Sequence, residues 1–155
     1  MFDEQRMAQA EMFLRGLPHF EILKLELIAM DVGYCQMRLP YQQDFVGDPQ
    51  TGWVHGGVVT TLLDSVGGLA VFASLQRMQP VATLDLRIDY LKPATPQSHL
   101  LAEARVETMT RTVAFVSGVA YQDTPESPIA RATASFVLDG AGTKPRLDGK
   151  AGAAS

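Results

Sequence analysis

A single cysteine, Cys35, stands in 155 residues. That excludes an intramolecular disulfide and a metal cluster built on cysteines. Basic runs are absent, and no stretch interleaves aromatic with basic side chains. With a net charge of −4, this argues against a nucleic-acid partner. The chain has no Gly-x-Ser-x-Gly elbow, so a serine nucleophile of that kind is missing. It has no internal repeats. Its start, Met1-Phe2-Asp3-Glu4-Gln5-Arg6, is charged and lacks the apolar core of a signal peptide. A reduced, cytoplasmic setting fits these absences.

What is present is an apolar fraction of 46% against 19% charged residues. That is ordinary for one soluble domain and too apolar for disorder. Gly56 to Leu75 is long and apolar enough to be mistaken for a membrane span. It carries Asp64 and several hydroxyl residues, and its flanks show no strong basic bias. A helix buried in a soluble fold is the better reading.

The pattern divides the chain into an N-terminal helical part (1–19), a main domain (20–138) and a Gly, Ala and Lys-containing tail (139–155) expected to be disordered. Asp3 to Gly16 predicts a helix, capped by Asp3 and ended by Gly16. Ile22–Asp31 and Tyr34–Leu39 predict two strands joined at Val32-Gly33. Residues 40–54 are a loop broken by Pro40, Gly47, Pro49 and Gly52. A long helix follows from Gly57 to about Gln76. Four strands then fall at about 81–91, 98–109, 112–122 and 128–138. In the first of these, Leu84, Leu86, Ile88 and Tyr90 should share one face and Thr83, Asp85, Arg87 and Asp89 the other. A six-stranded antiparallel sheet can curl round the long helix. It would keep one open edge for pairing with a second copy.

At helical spacing, Gly57, Thr60, Thr61, Asp64, Gly67 and Gly68 form one small, polar stripe. Val58, Val59, Leu62, Leu63, Val66 and Leu69 face the other way and read as core. The glycines at 67 and 68 lower helix propensity by about 1 kcal/mol each, so close packing must offset them. The stripe is either a packing surface with a hydrogen-bonded structural acid or a site. Co-location favours a site: Val54-His55-Gly56-Gly57 opens the helix, where N–H groups favour negative charge, and Asp64 sits two turns on.

These residues resemble the hotdog-fold acyl-CoA thioesterases, in the phenylacetyl-CoA (PaaI-like) branch. The likeness covers about residues 20–138. It rests on His55-Gly56-Gly57, Asp64 in the helix, Thr83 opening a strand, and Asp85-Leu86-Arg87-Ile88-Asp89-Tyr90-Leu91-Lys92-Pro93-Ala94. His-Gly-Gly alone is a weak motif; with the Asp and the later strand it becomes fairly specific. The resemblance implies an α+β hotdog fold and hydrolysis of an aryl or medium-chain acyl-CoA. It implies Asp64 as general base or nucleophile, acting across a dimer interface. It implies the N–H of Gly57, with that of Val58, as donors to the thioester carbonyl. Thr83 would position water or Asp64, and His55 would orient the loop. Substrate-binding candidates are Asp48, Gly56, Val58, Thr61, Lys92 and Arg111. Coenzyme A is part of the substrate, and no separate cofactor or metal is expected. A homodimer is expected, assembling as a dimer of dimers. One departure stands out: Asp48 occupies the place where the family often has Asn. An ionised carboxylate only accepts hydrogen bonds and would repel Asp64 if close. Gln43 or Gln50 can supply an amide instead.

Oxyanion donors are typically worth about 3–4 kcal/mol, and a positioned carboxylate about 10²–10⁴-fold as a base. Cys35, in a strand far from any His, reads as inert core. His55, Asp64 and Asp48 match no metal-ligand spacing. His19 and His99 read as surface or strand-edge residues. Trp53 is a loop anchor or a pocket wall. Lys92, Arg77 and Arg111 are solvated or meet CoA phosphates, and Arg87 pairs with Asp85 or Asp89. Two other functions compete: a hotdog hydratase or dehydratase, which would need a His–acid pair, and a non-catalytic acyl-CoA-binding module.

Overall fold

The structure is a computed structural model and describes residues 4–76 and 79–138. The expected cap Asp3, the residue Arg77 and the tail 139–155 lie outside them. The element order is α1 (Glu4–Arg15), α2 (Pro18–Leu23), β1 (Glu26–Asp31), β2 (Tyr34–Leu39), a 3-10 turn (Gln43–Phe45), α3 (Gly56–Ser74), β3 (Val81–Tyr90), β4 (Leu100–Met109), β5 (Val113–Tyr121) and β6 (Ala130–Leu138). All strand pairs are antiparallel, in the order β1-β2-β4-β5-β6-β3.

The sheet curls round α3. Leu62, Val66, Ala70 and Val71 of the helix are fully buried. The strand faces opposite them carry Ala102, Ala104, Ala114 and Ala120, all buried. Small side chains there let the helix lie close to the sheet, while Met37, Leu39 and Leu100 fill the space beside it. Each fully buried large apolar side chain contributes about 1.5–3 kcal/mol. This explains the membrane-like composition of Gly56–Ser74: it is the central helix of the core.

Three register shifts, between Leu27 and Ala29, Thr83 and Asp85, and Val106 and Thr108, add local bend and twist. The first two leave Ile28 and Leu84 exposed. The β1–β2 hairpin turns at Val32-Gly33 as its sequence requires, with Gly33 at φ 69, where glycine is favoured.

Two expectations are corrected. The first strand begins at Glu26, not Ile22. Pro18 opens the extra helix α2, and Lys24 ends it in the left-handed region. The division at 19/20 therefore falls inside α2. At one end of the sheet α1 packs on β1; the other end is the edge strand β3, with Leu84 and Tyr90 about half exposed. Thr83 does not face away from Leu86, because the bulge at Leu84 shifts the alternation by one.

Candidate active site

The loop before α3 is stapled before it delivers its histidine. Val46 bridges Val54, the Gly47 N–H donates to the Trp53 carbonyl at 2.8 Å, and the His55 N–H donates to the Phe45 carbonyl at 2.8 Å. His55 is then the N-cap of α3, its Nδ1 accepting from the Gly57 N–H at 2.9 Å. The Val58 N–H donates to the His55 carbonyl at 2.9 Å. Both N–H groups expected to face a substrate carbonyl are therefore spent on His55. No acceptor for the Gly56 N–H is seen among the described residues. Val58 itself packs against the core.

Tyr90, at the end of edge strand β3, closes the other side of this turn. Its hydroxyl donates to the Gly56 carbonyl at 2.9 Å and lies 2.6 Å from Thr60 Oγ1. Thr60 also donates to that carbonyl at 3.1 Å, and Thr61 donates to the Gly57 carbonyl at 3.0 Å. Tyr90 was not legible as a site residue. The sequence places it in the alternating strand that carries the family likeness but gives it no role at the helix start, and its partner lies thirty-four residues away.

Asp64 is half-buried. Its Oδ1 accepts from the Thr83 hydroxyl at 2.7 Å, as the sequence pairing anticipates. Asp64, Thr83, Thr60, Thr61 and Ser65 share the wall of one cavity of about 960 Å³, within the range of small-molecule sites. The rest of that wall is largely apolar and comes partly from α1 and α2. His19 is exposed, as expected, but at this cavity, a place its sequence context does not reveal.

Other candidates lie elsewhere. Asp48 caps its own loop: its carboxylate accepts from the Gln50 N–H at 3.0 Å and the Thr51 hydroxyl at 2.8 Å. Those bonds, the Gln50 one first, hold its pKa below the usual carboxylate value. Asp48 does not line the cavity with Asp64, and neither do Gln43, Gln50 or Trp53. The Lys92 Nζ donates to Ser127 at 2.6 Å just past Tyr90, at the helix-start end. Arg111 sits in the β4–β5 turn, beside the end where Val81 pairs with Leu138. A ten-residue strand separates those ends, about 30 Å, so one chain's Lys92 and Arg111 do not flank a common site. Arg87 pairs with Asp89 at 3.2 Å on the surface, where such pairs are worth little. Cys35 is buried, and burial pushes its thiol well above its ordinary pKa. Among the described residues no three His, Cys, Asp or Glu side chains gather as a metal site.

Residues 51–129 match the thioesterase superfamily. The chain belongs to this family. Its relatives include a Halobacterium salinarum protein named as an esterase, 39% identical over 100 residues; the match spans 61% of this chain and 65% of that protein. The medium/long-chain acyl-CoA thioesterase YigI of Salmonella typhimurium is 27% identical over 141 residues, covering 83% of this chain and 90% of its own length. A solved Pseudomonas aeruginosa structure is 39% identical with a TM-score of 0.77, covering 85% of this chain and 98% of that one. The six-stranded sheet around a long helix is the family's hotdog fold, and thioester hydrolysis is the family's chemistry.

Proposed function

We propose that this protein hydrolyses an aryl or medium-chain acyl-CoA to the free acid and CoA, with Asp64 as general base or nucleophile. The observation that carries this reading is Asp64, oriented by Thr83 at 2.7 Å, on the wall of a largely apolar cavity. Asp64 takes a proton from water as the water adds to the thioester carbon, and the carbon–sulfur bond then breaks so that CoA leaves as a thiolate and the free acid remains. In the nucleophilic route the Asp64 carboxylate adds to that carbon, CoA leaves as a thiolate, and water then cleaves the resulting anhydride, releasing the acid and restoring the carboxylate. An N–H donor stabilises the oxyanion between those steps. The Gly56 N–H suits that role better than the N–H of Gly57, which His55 already holds.

In one chain, Gly56 and Asp64 are eight helical residues apart, about 12 Å along the axis. A base must reach its proton directly or through one water, so the two groups of one helix cannot serve one carbonyl. This supports a homodimer in which Asp64 of one copy faces the helix start of the other, with edge strand β3 as the joining element. Phe115 and Met109, exposed on the sheet, support a second contact and a dimer of dimers. Lys92, at the helix-start end, is the better candidate of the two cations for a CoA phosphate. The lone reduced Cys35 is consistent with a cytoplasmic enzyme.

The test is thiol release from phenylacetyl-, benzoyl-, hexanoyl- and palmitoyl-CoA, wild type beside Asp64→Asn. Turnover on at least one substrate, reduced about 10²–10⁴-fold in the variant, supports the reading. An inactive wild type that still binds acyl-CoA would make it a binding module. A hydratase is disfavoured by His55, whose Nδ1 is engaged as a helix cap.

A further inference from the structure

The cavity beside Asp64 has a length as well as a lining. Along α3 it touches Thr60, Thr61, Asp64, Gly68 and Phe72, a single stripe at three- and four-residue spacing. Most of its polar groups gather around Asp64 and Thr83, with His19 and Gln79 the other polar side chains on the wall. Past Gly68 the wall is largely apolar, with Leu69 and Phe72 from the helix and Val81 and Phe136 from the sheet. The side away from the sheet is closed by Phe13, Leu14, Leu17 and Phe20 of α1 and α2. Phe13 and Phe72 meet as stacked rings, centroids 6.1 Å apart and 9° from parallel, within the range of a favourable aromatic pair.

We propose that this cavity takes a straight acyl tail and that the Phe13–Phe72 stack stops it at about ten carbons. The inference rests on the thioesterase reading above. Asp64 and Phe72 are eight helical residues apart, about 12 Å. An extended chain advances about 1.2 Å per bond, since a residue of three backbone bonds spans at most about 3.6 Å. With the thioester carbon at Asp64, about ten bonds bring the tail to the ring of Phe72. A short acyl group leaves the aromatic end unfilled. A long one has to displace Phe13.

Phe13 is the movable member. It is 46% exposed on a helix that packs chiefly on β1, whereas Phe72 belongs to the central helix. Removing the Phe13 ring should open the end of the cavity without opening the core. The N-terminal helices, which the sequence sets apart from the main domain, are on this account part of the substrate site.

The experiment measures kcat/KM for even-numbered acyl-CoAs from butyryl to palmitoyl, and calorimetric binding of decanoyl- and myristoyl-CoA, for wild type, Phe13→Ala and Phe13→Trp. In the wild type, kcat/KM should climb by about fourfold per buried methylene, reach its maximum at eight to ten carbons and fall beyond twelve. Phe13→Ala should raise the myristoyl-to-octanoyl ratio at least tenfold, and Phe13→Trp should lower it. A maximum at butyryl, or an unchanged ratio in both variants, overturns the proposal. Absence of turnover with chain-length-selective binding that Phe13→Ala still shifts would overturn the hydrolase reading and leave the tail site standing.

Discussion

The Thr83 hydroxyl reaches Asp64 Oδ1 at 2.7 Å because β3 bulges at Leu84. Without the register shift between Thr83 and Asp85, period-2 alternation would turn Thr83 to the face opposite Leu86. The bulge leaves Leu84 57% exposed and directs the threonine to the catalytic candidate. Bulges at active sites commonly re-aim a side chain in this way. Thr83→Val keeps the shape and removes the donor. A hydrogen bond to a charged group is worth about 1.5–3 kcal/mol, so kcat on the best acyl-CoA should fall about 10–100-fold, with Thr83→Ser restoring most of it. An unaltered kcat in Thr83→Val would show that Asp64 needs no such partner.

His55 and Asp64 do separate work, and a stability measurement tells them apart. The Nδ1 of His55 caps α3 by accepting from the Gly57 N–H at 2.9 Å. Losing an N-cap costs typically ~1 kcal/mol, which lowers Tm by about 2–4 °C in a domain of this size. His55→Ala should show that drop in a thermal melt, and His55→Asn, whose side chain is a favoured cap, should recover it. If His55→Ala melts with the wild type, the cap contributes nothing and the ring is there for substrate alone.

Much of this site was legible because its parts are local in sequence. His55, Gly56 and Gly57 lie together at a helix start, and Asp64 follows on the same stripe, so one motif carries them. The sheet was equally legible: Tyr34–Leu39 begins and ends where its apolar alternation does. What was hidden depends on long-range geometry. Tyr90 holds Gly56 from the far end of β3, and no spacing rule joins those positions. The last two residues of α2 read as strand because Ile22, Leu23, Leu25 and Leu27 suggest a buried strand, while the turn at Lys24 that interrupts them carries no glycine. That His55 caps the Gly57 N–H was hidden for a similar reason. Which N–H a capping side chain consumes is a matter of angstroms, and composition does not record it.

Alkaline pH should weaken the fold through Tyr34. Burial first, then the charge of Glu103, push its phenol up from 10 to about 12, and its hydroxyl donates to Glu103 Oε2 at 3.3 Å. Below pH 10 the phenol is protonated in both folded and unfolded chains, and its contribution is fully present. Between about pH 10 and 12 the unfolded chain ionises first, which favours unfolding, and the contribution is lost as pH passes the folded value. Tyr121 carries a shift of the same sign, also led by burial. Urea midpoints taken from pH 8 to 12 should fall less steeply in Tyr34→Phe than in wild type. Parallel curves would place the alkaline loss in other groups.

Gly67 and Gly68 are neighbours in α3, yet alanine should act in opposite directions at the two. A Cβ on Gly67 would stand 3.1 Å from Phe136 Cζ and 3.2 Å from its Cε2. Phe136 is only 2% exposed, so the ring has little room to retreat. Overpacking of this kind costs typically 1–3 kcal/mol, more than the ~1 kcal/mol that alanine gains over glycine in helix propensity. A Cβ on Gly68 would meet Phe136 Cε1 at 3.6 Å, an ordinary contact, and keeps that gain. Denaturant unfolding should therefore show Gly67→Ala less stable than wild type by up to about 2 kcal/mol and Gly68→Ala more stable by up to about 1 kcal/mol. Because Gly68 lines the cavity and Gly67 does not, only the second variant should narrow the space available to a substrate. Equal effects on stability at the two positions would mean that the Phe136 ring yields, and that the paired glycines answer to something other than its packing.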